Sequence, residues 1–490
     1  MCPAVFVCKN SIIFIFWILK RVYGMYLVMN LMFYSLILMS NEILHSESDF
    51  FPVYQLTYTT KNHELDNNDN FSYDDRFLCY DTRGTLGYGI ENCISIEIVE
   101  VSSGKEYKVY QPEKIRIGTK PAPGVGAVSF HPKDNSLIFI HGPDVHNVNQ
   151  RAFPENTYAK INRRGCIILI KEDTERTIKS WVDFRTISCE AGILSGSHRG
   201  GTHRHEYSLN GERIGCTYDD WLLPHYGRTI AYFEKTNKFV PNAEYYFAVL
   251  VKVVPMEKAK EGEFVKALGD SWVGVEGKYR AFVGTVKEGE SFVDYLCVVE
   301  IPDNVDIQSS TSGDCKEYPE PPKGIRIHKI TKVNCSGIVR GSYDGKKIAY
   351  LDKDVNGRTQ IFMITADKQN LFENITPVQI THFPDGVEDN LRWHPSGNTI
   401  FSISEGAVVA ICAREGENFG KFVFITDKYK RNKPYSLIVS RFGKYVAFNR
   451  CVPTYDERGM RQLASDGKDF SQIFLFEYKD ENSDDLPDIK

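Results

Sequence analysis

The fold is decided by a short repeat whose clearest copy is SYDGKKIAY at residues 342–350. This copy joins a polar turn, which contains Asp344 and Gly345, to an apolar run that follows at once. The same pattern of a polar turn and an apolar strand recurs in FSYDDRFLCY (71–80), FHPKDNSLIF (130–139), YSLNGERI (207–214), EGKYRAF (276–282), WHPSGNTIF (393–401) and SRFGKYVAF (440–448). The chain therefore repeats one small unit seven times, and internal repeats identify an architecture before other features do.

Each copy of the repeat predicts a β-hairpin. Asp, Asn or Ser before Gly favours a tight turn, because Gly accepts positive φ and the short polar side chain bonds its own backbone. The strand that follows is apolar on both faces, which is typical of a sheet packed between two others. Hairpins that recur at a spacing of about 60 residues without helices between them are typical of propeller blades. The sequence thus predicts an all-β fold, a seven-bladed β-propeller.

The ring is expected to close through its first strand. The run 53–57 precedes the first repeat and has no blade of its own. It would complete the last blade and remove an exposed sheet edge. One departure from the all-β pattern is expected at 256–268, where a short helix interrupted by Gly262 is predicted.

The two ends of the chain differ in composition from the propeller, which we place at 46–480. Residues 1–45 contain two apolar stretches on either side of Lys20 and Arg21. They predict a secretion signal or an uncleaved membrane anchor, with Met25 or Met29 as alternative starts and a buried hydrophobic helix as the other interpretation. The expected location is periplasmic or extracellular, with contact to a membrane only through this segment. Residues 481–490 predict an acidic flexible tail.

The charge balance excludes one class of partner. The chain of 490 residues has 59 Lys and Arg against 64 Asp and Glu, a formal net charge of −5. A protein that binds nucleic acid needs basic residues in excess to neutralise phosphates. No nucleic-acid partner is therefore expected.

The cysteines predict no zinc site. The chain has 12 cysteines without a C-x-x-C pair, and Cys79, Cys166, Cys216 and Cys297 lie in apolar runs, where they act as small hydrophobic residues. One or two disulfides are compatible with export, and Cys315 with Cys335 is a candidate pair.

The repeats of the form S-x-D-G-K-x-I-A resemble those of TolB-like propellers, also called PD40 repeats. Three segments resemble more specifically a bacterial family labelled biopolymer transporter Tol: 55–57 with 62–65, 139–143, and 199–205 through 217–220. The resemblance implies a propeller fold and a cell-envelope location, and it implies no activity.

Five histidines are candidate metal ligands. His203 and His205 stand at i and i+2 on a predicted innermost strand, so their rings are expected to face the same way. His198, His63 and His141 are predicted near the same rim of the channel. Together they predict a site for a divalent metal, Mn²⁺ or Zn²⁺. The alternative is that these histidines line a wet channel and bind no ion.

Two arginines beside the histidines are candidate substrate ligands. Arg199 and Arg204 could hold an anionic substrate such as a uronate through paired hydrogen bonds. The H-x-H pair, His203 and His205, is similar to part of the metal site of oligogalacturonate lyases, which implies metal-assisted β-elimination.

Two functions therefore stay open. One is a non-catalytic binding propeller of the cell envelope that engages a protein or a glycan at the channel rim. The other is a metal-dependent carbohydrate-active enzyme. The chain has neither a G-x-S-x-G elbow nor a G-x-x-x-x-G-K-[ST] loop, so serine hydrolase and nucleotide hydrolase chemistry are not expected.

Overall fold

A computed structural model describes residues 51–84, 89–112, 115–117, 120–122, 124–142, 162–170, 178–182, 184–190, 192–236, 244–334, 337–366 and 375–479. The predictions for residues 1–45 and 481–490 lie outside this range. Among the described residues, no helix is both long enough and apolar enough to span a membrane.

The described residues form thirty-one strands and three short 3-10 turns. The strands are β1 (Val53–Gln55), β2 (Phe77–Asp81), β3 (Ile96–Glu100), β4 (Glu106–Tyr110), β5 (Ile115–Ile117), β6 (Lys120–Ala122), β7 (Val125–Phe130), β8 (Ser136–His141), β9 (Arg164–Leu169), β10 (Ile178–Trp181), β11 (Gly200–Tyr207), β12 (Arg213–Asp220), β13 (Thr229–Lys235), β14 (Tyr245–Val249), β15 (Phe264–Val273), β16 (Tyr279–Glu288), β17 (Ser291–Glu300), β18 (Arg326–Lys332), β19 (Arg340–Gly341), β20 (Lys347–Lys353), β21 (Thr359–Thr365), β22 (Val378–Gln379), β23 (Glu388–Trp393), β24 (Thr399–Ser404), β25 (Ala407–Cys412), β26 (Phe422–Phe424), β27 (Tyr435–Val439), β28 (Tyr445–Val452), β29 (Thr454–Tyr455), β30 (Arg461–Gln462) and β31 (Phe470–Glu477). The 3-10 turns are Ile90–Asn92, Met256–Lys258 and Ile307–Ser309.

Seven antiparallel sheets follow one another along the chain and form the blades, as predicted. Blade 1 is β2-β3-β4, blade 2 is β7 to β10, blade 3 is β11 to β14 and blade 4 is β15 to β18. Blade 5 is β19 to β22, blade 6 is β23 to β26 and blade 7 is β27-β28-β31-β1. The first strands of neighbouring blades contact each other, β7 with β11, β15 with β19, β19 with β23 and β23 with β27. They are therefore the innermost strands, which surround the central channel.

Six copies of the repeat are the turns between the first two strands of blades 2 to 7, which confirms the predicted hairpins. The first copy, 71–80, forms the turn that leads from the bridge at Phe71 into β2 of blade 1. Within these turns the backbone N–H of Ser208, Ser342 and Ser440 donates to the carbonyl five residues later, at 2.8 Å in each case. Gly211 and Gly345 have φ of 76° and 74° in these turns. A residue with a β-carbon rarely adopts such angles, which explains the glycine in the repeat.

The first strand closes the ring, which was also predicted. β1 pairs antiparallel with β31 of the last blade, with Val53 opposite Phe476. Val53 is 3% exposed and packs in the core of blades 6 and 7. The edge of blade 7 is thereby covered by the beginning of the propeller rather than left open.

The hydrophobic core lies between neighbouring blades. One cluster joins Tyr232 and Phe233 of blade 3 to Phe282 and Val299 of blade 4. Burial on both faces explains why the strands after the turns are apolar throughout. The four cysteines predicted to act as small hydrophobic residues, Cys79, Cys166, Cys216 and Cys297, are fully buried.

Two local predictions are wrong. Residues 256–268 do not form a helix: only Met256–Lys258 makes a 3-10 turn, Gly262 has φ 81°, and β15 begins at Phe264. Cys315 forms its disulfide with Cys189, not with Cys335, and the two Cα atoms are 6.1 Å apart. The propeller brings the loop before β11 next to the loop between β17 and β18, a proximity that cysteine spacing in the sequence does not show.

Candidate functional site

Blade 1 contributes a polar segment to the channel in place of a regular innermost strand. The segment consists of residues 66–70, Asp-Asn-Asn-Asp-Asn, and is called the central segment below. Isolated bridges flank it, from Glu64 to Asp81 and from Phe71 to Leu78. Between these bridges the chain has more residues than its partner strand, so it leaves the sheet.

Five of the innermost strands carry a β-bulge at a corresponding place. The pairing register shifts in β7, β11, β15, β23 and β27. Within each bulge one residue has positive φ, namely Ala127 (53°), Arg204 (56°), Gly269 (69°), Asn390 (97°) and Ser436 (50°). A bulge leaves part of the ladder unpaired and turns side chains away from their regular direction. These bulges therefore present backbone carbonyls and re-aimed side chains to the channel.

The central segment bonds the carbonyls that the bulges leave available. The Asn67 side-chain amide donates to Ala127 O at 2.9 Å and to His205 O at 3.2 Å. The Asn70 amide donates to Val128 O at 3.3 Å. These bonds join blade 1 to blades 2 and 3.

The central segment also contacts blades 3, 6 and 7. The Arg392 guanidinium of blade 6 donates to Asn67 O at 3.3 Å. Arg441, which follows β27 of blade 7, lies 3.3 Å from the Asp69 carboxylate. The Asn68 amide donates to Glu206 Oε1 at 2.5 Å. Because one short segment contacts blades 2, 3, 6 and 7, it fixes the width of the channel at this level.

A buried ion pair supports the first residue of the central segment. Arg83 has no exposed side-chain surface and pairs with Asp81 at 2.5 Å and with Asp66 at 2.6 Å. Asp81 also accepts a hydrogen bond at 2.9 Å from the backbone N–H of Ala127, a bulge residue. Removing one member of such a pair would leave an uncompensated buried charge.

A cavity at the channel, called the outer cavity below, has a volume of about 940 Å³. Its wall combines charges of both signs with amides, hydroxyls and a few apolar groups. The lining residues are Glu64, Asp66, Arg204, Glu388, Asn390, Asn432, Lys433, Pro434, Tyr435, Ser436, Cys451, Arg461, Leu463, Gly467, Lys468 and Asp469. Three bulge residues, Arg204, Asn390 and Ser436, are among them.

Glu64 is the most perturbed acid of the outer cavity. Its side chain accepts a hydrogen bond from Ser436 Oγ at 3.1 Å and lies 3.3 Å from the Tyr435 hydroxyl, and the residue is 2% exposed. Burial raises its pKa to about 8, although the nearby Arg83 opposes the shift. The carboxylates of Asp66 and Asp81 add to the rise. Glu64 is therefore mainly protonated at neutral pH and can donate a hydrogen bond.

A second cavity, called the inner cavity below, has a volume of about 340 Å³ and shares Arg204 with the outer one. The central segment contributes Asn67 and Asn68 to its wall. The other lining residues are His203, Glu206, Thr217, Arg228, Leu268, Gly269, Asp270, Gly337, Ile338 and Arg340.

His203 lines the inner cavity. Burial lowers its pKa well below its usual value, and the charges of Arg163, Arg228 and Arg204 lower it further. The ring is therefore neutral at physiological pH.

His205 does not continue the pattern of His203. The bulge at Arg204 lies between them and breaks the alternation of side chains, so the expectation that both rings face the same way is wrong. His205 is fully buried, and its Nε2 lies 3.0 Å from Thr202 Oγ1. A β-carbon on Gly165 of blade 2 would approach the same ring to 3.0 Å. His205 thus packs between blades 2 and 3.

The other three histidines are held in separate places. His63 is buried next to Tyr80, with Nδ1 3.0 Å from Ser471 O and Nε2 3.4 Å from Glu106. His141 ends β8, and its Nε2 lies 2.9 Å from the Tyr110 hydroxyl.

His198 packs against Phe247 and accepts a backbone hydrogen bond from Gly200 at 3.3 Å. Across the described ranges, no three His, Cys, Asp or Glu side chains are grouped so that they could hold a metal ion. The predicted divalent metal therefore gains no support from this geometry.

The two predicted substrate arginines have different surroundings. Arg199 is fully buried: its Nε and Nη2 donate to Asp220 at 3.0 and 2.6 Å. Its Nη1 donates to the carbonyls of Asp314 and Glu317. Arg199 thus stabilises the loop that contains Cys315. A substrate that binds Arg199 would have to displace these hydrogen bonds. Arg204 lines both cavities, with its guanidinium 3.7 Å from Asp66.

Sequence reasoning missed the central segment and Glu64. The run DNNDN at 66–70 is the most polar stretch before the first repeat, and its position, where the other blades have their innermost strand, could have indicated a channel residue. Nothing in the sequence places Glu64 next to Ser436 or Tyr435, because they are brought together only when the ring closes.

Comparisons with known proteins extend over the propeller. Residues 124–236, from β7 to β13, match the model of a family described as protein of unknown function (DUF3748). Uncharacterized protein YidR of Escherichia coli (strain K12) is 27% identical over 394 residues, which are 74% of this chain and 87% of that protein. These comparisons do not confirm the TolB-like resemblance, which stays a prediction.

Solved structures with a similar fold are distant. A putative 6-phosphogluconolactonase of Bacteroides fragilis is 10% identical, with a TM-score of 0.43 over 82% of this chain and 99% of that one. The periplasmic gluconolactonase of Pseudomonas aeruginosa is 10% identical, with a TM-score of 0.40 over 77% and 94%. The propeller domain of the Trilobed protease of Pyrococcus furiosus is 9% identical, with a TM-score of 0.42 over 83% and 99%. Similarity at this level does not indicate what this chain binds.

The raised pKa of Glu64 predicts how stability depends on pH. Between the usual value of 4.5 and about 8 the folded chain keeps a proton that the unfolded chain has lost. This group therefore lowers the free energy of unfolding as pH rises through that window, by at most about 1.4 kcal/mol per pH unit. Glu64→Gln keeps a neutral side chain at every pH, so the variant should gain stability over the wild type as pH rises from 5 to 8.

Denaturant unfolding at pH 5, 6.5, 8 and 9 measures this difference. Glu415→Gln, an exposed site, is the matched control and should run parallel to the wild type. If the free energies of unfolding of Glu64→Gln and the wild type change with pH in the same way, Glu64 is ionised throughout this range.

Proposed function

We propose that this propeller is a binding protein of the cell envelope that holds a glycan in its outer cavity without chemical turnover. The observation that carries the proposal is the cavity of about 940 Å³ at the channel, lined by carboxylates, cationic groups, amides and hydroxyls. Its volume falls within the roughly 300–1,000 Å³ range of small-ligand sites. A protein partner would instead need an extended surface of about 800 Å² per side.

The chemistry of the wall suits a ligand rich in hydroxyl groups. A sugar hydroxyl both donates and accepts. Two carboxylates of the wall are Asp469, which pairs with Arg461 at 2.7 Å, and Glu388, which pairs with Lys433 at 2.8 Å. Each of these carboxylates keeps lone pairs for a further hydrogen bond, and Lys468 is a donor. Leu463 and Pro434 supply apolar contacts for the C–H face of a sugar ring. Such mixed lining binds a neutral or weakly charged glycan.

Binding without turnover agrees with how the polar groups of this cavity are used. The hydroxyls of Tyr435 and Ser436 both face Glu64, and Tyr435 also donates to Ser471 Oγ at 2.6 Å. Among the described residues no observation favours the metal-dependent lyase, so binding is the function we put forward.

The disulfide supports the envelope part of the proposal. Cys189 and Cys315 are separated by 126 positions and bonded in the folded chain. Disulfides persist in the periplasm and outside the cell, whereas the cytosol keeps most thiols reduced. The bond joins the loops that Arg199 also fastens, so oxidation and folding would support each other.

Glycan binding is tested by calorimetric titration of the full chain with chitotriose, maltotriose, cellotriose and trigalacturonate. We expect at least one of these oligosaccharides to bind saturably. Lys468→Ala should lower its affinity at least fivefold, because Lys468 lines the outer cavity. Lys346→Ala is the control: both lysines are about two-thirds exposed and lie near an Asp two positions earlier, at 3.9 Å for Lys346 and 3.3 Å for Lys468.

Three results would contradict the proposal. If no oligosaccharide binds, or if both variants bind like the wild type, the outer cavity is not a glycan site. If the bound oligosaccharide is converted to product during prolonged incubation, the protein is an enzyme and the absence of turnover is wrong.

The location is tested through the disulfide. Protein recovered from the envelope fraction of its native cell should gain two titratable thiols when it is denatured and then reduced, and Cys189→Ser with Cys315→Ser should abolish that gain. The double variant should also be about 2–4 kcal/mol less stable than the oxidised wild type. Protein found in the cytosolic fraction with both thiols free would contradict export.

A further inference from the structure

The inner cavity has a different charge pattern from the outer one. Three guanidinium groups line it, those of Arg204, Arg228 and Arg340, together with the neutral ring of His203. Its two lining carboxylates are Glu206 and Asp270. Cationic groups therefore outnumber anionic ones on the described wall.

Both carboxylates of the wall have partners that compete with a bound cation. Arg280 is almost fully buried and pairs with Asp270 at 2.5 Å and with Glu206 at 3.1 Å. Glu206 Oε1 also accepts from the Asn68 amide at 2.5 Å and lies 4.0 Å from Nη1 of Arg340. Burial raises the pKa of Glu206.

Two of the lining arginines keep part of their surface accessible. Arg228 pairs with Asp219 at 2.7 Å and leaves 28% of its side chain exposed. Arg204 lies 3.7 Å from Asp66 with 36% of its side chain exposed. Since a guanidinium has five N–H donors, a single carboxylate partner leaves donors for a second anion.

We propose that the inner cavity is an anion site that binds a small molecule through a carboxylate or a phosphate group. Planar guanidinium groups match both of these anions with paired N–H···O bonds. The Asn67 and Asn68 side chains of the central segment form one wall, and Thr217 adds a hydroxyl. The volume of about 340 Å³ limits the ligand to roughly the size of one sugar or smaller. This site is separate from the proposed glycan site, and either can exist without the other.

The test uses three probes that share one sugar: glucuronate, glucose 6-phosphate and glucose. Each is titrated into the full chain at constant ionic strength. We expect one or both charged probes to bind at least tenfold more tightly than glucose. If only glucuronate binds, the carboxylate is the group that the site recognises. If only glucose 6-phosphate binds, that group is the phosphate. Binding of both supports a general anion site.

Two arginine variants locate the binding. Arg228→Gln should weaken the charged probe at least tenfold, whereas Arg76→Gln, a surface arginine that pairs with Glu100 at 3.0 Å, should change it less than twofold. If circular dichroism shows that Arg228→Gln does not fold, Arg340→Gln replaces it, because Arg340 lines the inner cavity and not the outer one. The proposal is overturned if charged probes bind no better than glucose, or if the inner-cavity variant binds like the wild type.

Discussion

The hydrogen bonds from the Asn67 amide to Ala127 O and His205 O are the contacts on which the channel depends. A ring of seven sheets needs its innermost strands to bend, and here five of them do so through bulges. Bulges leave carbonyls without a ladder partner, and an unsatisfied buried carbonyl costs about 1–3 kcal/mol. The central segment satisfies two of these carbonyls with one side chain and so couples the shape of the channel to the stability of the ring.

The same arrangement divides the channel into two chemically different spaces. Asp66 belongs to the outer cavity, and Asn67 and Asn68 belong to the inner one. Charges are mixed on the outer wall, while guanidinium groups dominate the inner wall. The two proposed sites therefore follow from one structural element, although the ligand of each is determined by different side chains.

Local sequence was sufficient for the blades and insufficient for the site. The turn at Asp344-Gly345 and the apolar run after it are local features, so seven hairpins and the closing strand at Val53 could be predicted. The surroundings of His205 and Arg199 could not be predicted from the sequence, for a physical reason. A bulge at Arg204 reverses the alternation after His203, and Asp220 draws Arg199 into a buried pair. Neither bulges nor partners distant in sequence leave a periodic pattern.

Asn67 stabilises the ring by satisfying bulge carbonyls, and the free energy of unfolding of Asn67→Ala tests this. We expect a loss of about 2 kcal/mol, because two buried carbonyls would lose their donor. Asn356→Ala, at an exposed hairpin turn, should change stability by less than about 0.5 kcal/mol. An equally small change for Asn67→Ala would contradict the claim that the central segment holds the channel together.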